Sequence, residues 1–410
     1  MPRPLLQRTV PLWGAFVLVH LVIVALALFG PGNAIGDIGV VYRGWADGLR
    51  TGTIVGITTP FVYPVLALVP IAAASVLGDA AYVYTWFALV TVVDAVAFLV
   101  LVRGRRARRV RAAWWWLGLQ LLLGPIALAR IDSITVPMAI IGLLWIGSRP
   151  FWGTTLLVLA TWVKVWPAAA LAALFVVWPR RWRMLLLAAG LSVAITGLAL
   201  LLGSGANVLS FITAQTSRGI QIESPVGGAW MWLTALHVPG SSLYYDRDIL
   251  TFQVRGPGVA AAAALMTPLM AVMAGMVVWL GARATRAGAA FATVFPPLVL
   301  ALTATLIVFN KVGSPQFISW LAAPIVLGLV WHGPGWRTPA LLVAGMAGLT
   351  QLVYPYLYDW LLVADPALVL VLTVRNLLEI VLLGWAARDL WSYDRRSEIS
   401  PASARVSRHY

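Results

Sequence analysis

The stretch PLWGAFVLVHLVIVALALF, Pro11 to Phe29, carries no charge and is followed within a few residues by Gly36-Asp37-Ile38-Gly39-Val40-Val41-Tyr42-Arg43. An apolar run of about 20 residues is what one helix needs to cross a bilayer. No small-residue cleavage site follows it, so it reads as a retained span and not a signal peptide. Runs of the same kind recur to the end of the 410 residues, of which 61% are hydrophobic and 10% charged. A soluble domain is about half apolar and about a quarter charged. Backbone groups in lipid must be satisfied within the segment, and no ten-residue alternation suggests a barrel, so the chain reads as an all-α polytopic membrane protein.

Working outward, spans are expected at roughly 10–29, 81–102, 113–129, 134–148, 151–165, 166–178, 184–203, 257–281, 289–309, 315–331, 338–357 and 366–387. That is about 12 transmembrane helices. The pair within 151–178 also reads as one tilted helix broken at Trp166-Pro167. The prolines Pro60, Pro64 and Pro70 favour short interfacial helices over a span at 60–78. With that choice both termini are cytoplasmic. That side collects 20 Lys/Arg, six of them in 103–111, against 8 on the other. This is the positive-inside asymmetry. The outer side then holds 9 of the 14 acids, two long loops at about 30–80 and 204–256, and short turns near 130, 164, 311 and 360. Residues 1–391 form a single transmembrane domain, and 392–410 a polar cytoplasmic tail expected to be disordered.

Composition also excludes functions. There is no cysteine, so thiol and disulfide chemistry are absent, and the four histidines are scattered. The net charge of +15 comes from arginines at the ends of apolar runs, which suits anionic lipid and not nucleic acid. No cofactor and no metal is expected.

Asp37 is the leading candidate, because a carboxylate at the membrane boundary is costly to keep. It could take a proton from a sugar hydroxyl; the plain alternative is a solvated loop carboxylate. Tyr42 and Tyr63, the latter in Phe61-Val62-Tyr63-Pro64, can share its surface. In the second loop, Arg218-Gly219-Ile220-Gln221-Ile222-Glu223-Ser224 offers a guanidinium fork suited to phosphate, with Gln221 and Glu223 for hydroxyls. Lys311, in Lys311-Val312-Gly313-Ser314-Pro315-Gln316-Phe317, reads as a phosphate ligand or a snorkelling cation, and Lys164 before Trp166-Pro167 likewise. Arg130-Ile131-Asp132 reads as a further cation site or a local ion pair. Arg375 and Glu379, four apart, read as a structural pair on one helix face. Together, Asp37 and four cations (Arg130, Lys164, Arg218, Lys311) lie on one membrane face. An anionic head with a long apolar tail suits such a site.

These islands resemble the GT-C class of membrane glycosyltransferases. More narrowly, they are similar to the actinobacterial polyprenyl-phosphate-mannose-dependent mannosyltransferases of the glycosyltransferase 87 group. The resemblance rests on the aspartate after the first span, on Tyr63-Pro64-Val65-Leu66, on Lys164 before Pro167, on Arg218 to Ser224 and on Lys311 to Phe317. It implies that Asp37 is the catalytic base. It implies a plasma-membrane enzyme taking a sugar, mannose being favoured, from a polyprenyl-phosphate donor to a glycolipid or envelope glycan acceptor with inversion. Arg218, Lys311, Lys164 and Arg130 would hold the donor phosphate, and Tyr42, Tyr63, Gln221, Glu223 and Gln316 the sugar or acceptor. The rival class is a transporter or lipid-carrier flippase, which vesicle flux without sugar transfer would reveal.

Overall fold

The structure, a computed structural model, describes residues 9–104, 106–216 and 218–399. Arg3, Arg8 and Arg105 of the basic rim and residues 400–410 of the expected tail lie outside them. The first helix is α1 (Thr9–Phe29). A short π-helical turn, Asp37–Tyr42, leads into α2 (Arg43–Thr51), and α3 (Leu68–Ala73) follows. These are the short first-loop helices that the prolines suggested, and no long helix forms at 60–78. Next come α4 (Tyr82–Val102), α5 (Ala107–Leu123), α6 (Asp132–Ile146), α7 (Pro150–Val163), α8 (Ala168–Val177) and α9 (Arg181–Leu201). The second loop holds α10 (Ser210–Thr216), α11 (Gly228–Ala235), β1 (Ser242–Asp246) and β2 (Thr251–Arg255). The chain closes with α12 (Val259–Arg286), α13 (Phe291–Val308), α14 (Phe317–Trp320), α15 (Ala322–His332), α16 (Arg337–Gln351), α17 (Tyr358–Leu362) and α18 (Pro366–Ile399). The last helix thus runs eight residues into the segment expected to be a disordered tail.

The region 151–178 is two helices. Pro167 has no N–H to give, its ring would crowd the carbonyl of Val163, and it disfavours helical backbone at Trp166. The chain answers by leaving the helix at Lys164, which is extended at φ −153, ψ 137. Helices α6, α7 and α8 have 15, 14 and 10 residues. At about 1.5 Å per residue they are about 22, 21 and 15 Å long, short of a hydrocarbon core of about 30 Å. Helix length alone therefore does not reach the expected count. Among the described residues, seven segments are long and apolar enough to cross: Val10–Phe29, Asp79–Val102, Arg181–Leu201, Val259–Arg286, Phe291–Val308, Phe317–Tyr356 and Pro366–Ser392.

Side-chain contacts show two opposite ends. At one, the Arg108 guanidinium donates to the Trp331 carbonyl (2.7 Å), His332 meets the Ala292 carbonyl (2.9 Å), and Trp178 packs edge-on against Phe291. At the other, the start of α6 meets the end of α7 through Asp132 and Lys164. The 40-residue segment Phe317–Tyr356 makes a round trip. It turns at Gly333–Trp336, and both Phe317 and Tyr354 touch cations of that second end. The irregular backbone there, from 128–131 and 164–167 to 310–316, is packed inside protein, as lipid demands.

The hairpin β1–β2 was not expected. Its residues Leu243-Tyr244-Tyr245 and Phe252-Gln253-Val254 are strand formers. They pair antiparallel with Ser242 opposite Arg255 and Asp246 opposite Thr251. The Asp246 carboxylate caps the turn by accepting the Asp248 N–H (3.0 Å).

Candidate active site

Asp37 opens the π-helical turn, a wide backbone geometry often found at functional sites. Its side chain is 38% exposed, and its Oδ2 meets the Nε of Arg130 at 3.1 Å. Arg130 is itself buried. Its remaining N–H groups donate to the carbonyls of Ala34 and Ala129 (2.8 Å each) and to the Tyr354 hydroxyl (2.9 Å). The guanidinium thus ties the first loop, the start of α6 and the segment after α16 to one carboxylate. Tyr42 completes the junction: its buried hydroxyl accepts the N–H of Ile131 (3.1 Å). Burial pushes the Tyr42 and Tyr63 phenols up, and each stays protonated and able to donate.

Arg130 and Asp132 do not pair with each other. Asp132, 1% exposed, takes the Lys164 ammonium at 2.7 Å on one oxygen and the Trp320 indole N–H on the other. Lys164 also sits near the rings of Tyr63 (5.2 Å), Phe317 (5.7 Å) and Trp320 (5.8 Å). A buried pair broken on one side leaves an uncompensated charge, which costs about 3–5 kcal/mol. Lys164→Met is therefore expected to destabilise by that order, and the double variant Lys164→Met/Asp132→Asn by clearly less. Unfolding by denaturant titration in micelles measures both.

The second loop and the Lys311 segment dock on each other. The Gln221 N–H donates to the Lys311 carbonyl (3.0 Å), and the Ser314 hydroxyl reaches the Gln221 side chain (3.4 Å). On its other side the same strip pairs with β2, through Val254 N–H to Ile220 O (3.0 Å) and Ile222 N–H to Phe252 O (3.3 Å). Gly313 is required by the contact: a Cβ there would lie 2.2 Å from the Ser224 nitrogen. Gly313→Ala is expected to lower the unfolding temperature and activity together, because the clash is with backbone.

Among the four cations the surroundings divide. Arg130 and Lys164 each face a carboxylate. Arg218 makes no such close ion pair among the described residues: its Nε is enclosed with no hydrogen-bond partner, and burial lowers its pKa, with Tyr63 and Asp246 in electrostatic reach. Burial likewise lowers the Lys311 ammonium. Gln221 and Gln316 are buried beside this strip. Glu223 is buried too. It lies 4.0 Å from Arg375, which also donates to the Glu223 carbonyl and pairs with Glu379 at 3.6 Å. The Arg375–Glu379 pair expected from spacing is present and reaches a third partner.

Burial lifts the Glu223 carboxyl to about 7, against the pull of Arg375, Tyr358 and Arg130. A raised folded-state pKa gives stability that is fully present below the ordinary carboxyl range and is lost as pH rises through the folded value. The unfolding temperature should therefore fall as pH rises to and past about 7. Glu223→Gln should flatten that fall in a pH series of melting curves. Among the described residues, no group of three or more His, Asp or Glu side chains could hold a metal ion.

Residues 61–245 match the family model described as glycosyltransferase family 87. This match, over 185 of the 410 residues, supports a membrane glycosyltransferase of the family 87 group. No curated protein and no solved structure matches it. The family 87 match contains Tyr63, Arg130, Asp132, Lys164, Arg218, Gln221 and Glu223, whereas Asp37, Tyr42, Lys311 and Gln316 lie outside it. The fold joins the two sets, Asp37 through Arg130 and the Lys311 strip through Gln221. Sequence reasoning missed Tyr354, which follows an apolar helix with no polar pattern around it. It also read Asp132 only as a neighbour of Arg130. Their spacing in an Arg-x-Asp start to a helix, which sends the two side chains to different partners, was the available signal.

Proposed function

We propose that this glycosyltransferase moves a sugar, mannose favoured, from a polyprenyl-phosphate donor to a glycolipid or envelope glycan acceptor with inversion. The enzyme sits in the plasma membrane with about twelve crossings, both termini cytoplasmic and the site on the outer face. The observation that carries the reading is the division of charges at one end of the molecule. Asp37 is half-exposed and held at one oxygen, while Arg218 is a half-buried cation whose enclosed Nε lacks a partner among the described residues.

The chemistry follows. Asp37 Oδ2 is fixed by Arg130, and Oδ1 takes the proton of the acceptor hydroxyl. The acceptor oxygen forms its bond to the anomeric carbon from the opposite face. The bond from that carbon to the phosphate oxygen breaks, and the electron pair leaves with the polyprenyl phosphate. Negative charge grows on the leaving phosphate, and cationic side chains placed beside it meet that need. Arg218 and Lys311 bind this phosphate. Lys164 and Arg130 set the floor beneath it through Asp132 and Asp37.

The test has two arms. Purified protein is given synthetic polyprenyl-phosphate mannose or a nucleotide sugar, together with membrane glycolipid. Transfer from the lipid donor alone is the expected result, and transfer from the nucleotide sugar alone would overturn the reading. Mass spectrometry of envelope glycolipids after gene deletion then identifies the acceptor as the species that accumulates.

A further inference from the structure

A second polar cluster lies inside the helical core, apart from the charges described above. His20 of α1 meets Asp94 Oδ2 of α4 at 3.1 Å, and the Gln120 amide of α5 donates to the same oxygen at 2.5 Å. All three side chains are buried, at 3%, 2% and 5% exposure. His20 Nδ1 faces the Phe16 carbonyl at 2.9 Å. A carbonyl can only accept, so Nδ1 carries a hydrogen. The Nε2 to Asp94 contact must then share one further proton, and the pair is electrically neutral with that proton in place.

Beside the pair is a cavity of about 20 Å³, lined by Asp94, Gln120, Ser133 and Ser319 among apolar side chains. Its polar lining consists of acceptors. Gln120 Oε1 is buried with no partner. The Ser133 and Ser319 hydroxyls spend their hydrogens on the carbonyls of Arg130 (2.6 Å) and Gln316 (2.7 Å), which leaves lone pairs. Asp94 bonds through Oδ2 only. A space above about 10–15 Å³ is enough for one water-sized guest when polar partners are present. Every lining oxygen asks that guest for positive charge.

We propose that this cavity binds one small electropositive guest, a sodium ion or a water donating its hydrogens, held by Asp94, Gln120, Ser133 and Ser319. Oxygen ligands and a single carboxylate suit a hard monovalent cation. A charge this deep must be balanced. Sodium therefore enters as the shared proton leaves, which keeps Asp94 ionised and His20 neutral. A water enters with no such exchange. His20 and Asp94 are the ionisable groups involved, from α1 and α4; α5, α6 and α14 face the cavity with Gln120, Ser133 and Ser319.

The experiment uses the full chain in lipid nanodiscs. Melting curves are recorded in sodium chloride and in N-methylglucamine chloride of equal ionic strength. They are taken below and above the ordinary histidine pKa of about 6.5. A bound sodium ion raises the unfolding temperature by a few degrees over the organic cation, more at the higher pH. Asp94→Asn or, more gently, Ser319→Ala removes the difference. A bound water shows no cation preference, but gives density within hydrogen-bond distance of Gln120 Oε1 in a map fine enough to show ordered waters. No cation preference together with an empty cavity in that map would overturn the proposal.

Discussion

Asp37→Asn should reduce sugar transfer by about a thousandfold, within the usual range for loss of a positioned general base. The amide keeps an oxygen for the Arg130 Nε, so the local geometry is preserved while the proton acceptor is lost. Asp37 is 38% exposed, and Arg130 retains two carbonyls and the Tyr354 hydroxyl, so the cost to folding is small. Turnover of a synthetic polyprenyl-phosphate sugar in nanodiscs, read beside the melting curve, separates the two effects. Near-normal turnover in a folded Asp37→Asn protein would remove this carboxylate from the chemistry. Arg130→Gln is the complementary change. It leaves the base in place but unheld, and it gives up a buried ion pair, so stability and rate should fall together.

Arg218→Gln should lower kcat/KM for the donor by about 10²–10³-fold, the scale of losing one donor that stabilises developing charge. Its effect on stability should be nil or favourable. An enclosed, unpartnered Nε on a half-buried cation costs folding free energy, and the smaller neutral amide removes part of that cost. Lost activity with an unchanged or raised unfolding temperature is the signature of a residue kept for a ligand. A structural role would show the reverse, with the melting temperature falling first. Varying donor at saturating acceptor, then acceptor at saturating donor, shows which substrate the arginine serves.

Much of the helical architecture was legible because apolar length is a local property. The short helices of the first loop followed from Pro60, Pro64 and Pro70. The break before Pro167 followed from a missing N–H and a steric clash. What sequence could not supply was partner choice across the bundle. Arg130 stands two residues before Asp132, yet it binds Asp37, 93 positions away in the chain. Lys164 stands alone among apolar residues, yet it meets Asp132 across the α6–α7 turnaround. Both contacts depend on how round-trip helices return to the same end. The hairpin β1–β2 was hidden for a different reason. Its strand-forming residues are few and lie in a loop otherwise read as irregular, and its stability comes from the strip Ile220–Ile222 pairing alongside.

Helices α6, α7 and α8 are too short to count as spans by length. Buried helices inside a bundle need not match the bilayer, because protein and not lipid surrounds their ends. Helix α6 is enclosed in this way, with 13 of its 15 residues buried.

The most direct measurement is a structure with a non-transferable polyprenyl-phosphonate sugar bound. The account predicts the phosphonate within hydrogen-bond reach of the Arg218 Nε and the anomeric carbon facing the same space as Asp37 Oδ1. A phosphonate seated at the opposite end, among Arg108, Arg181 and Arg283, would contradict it.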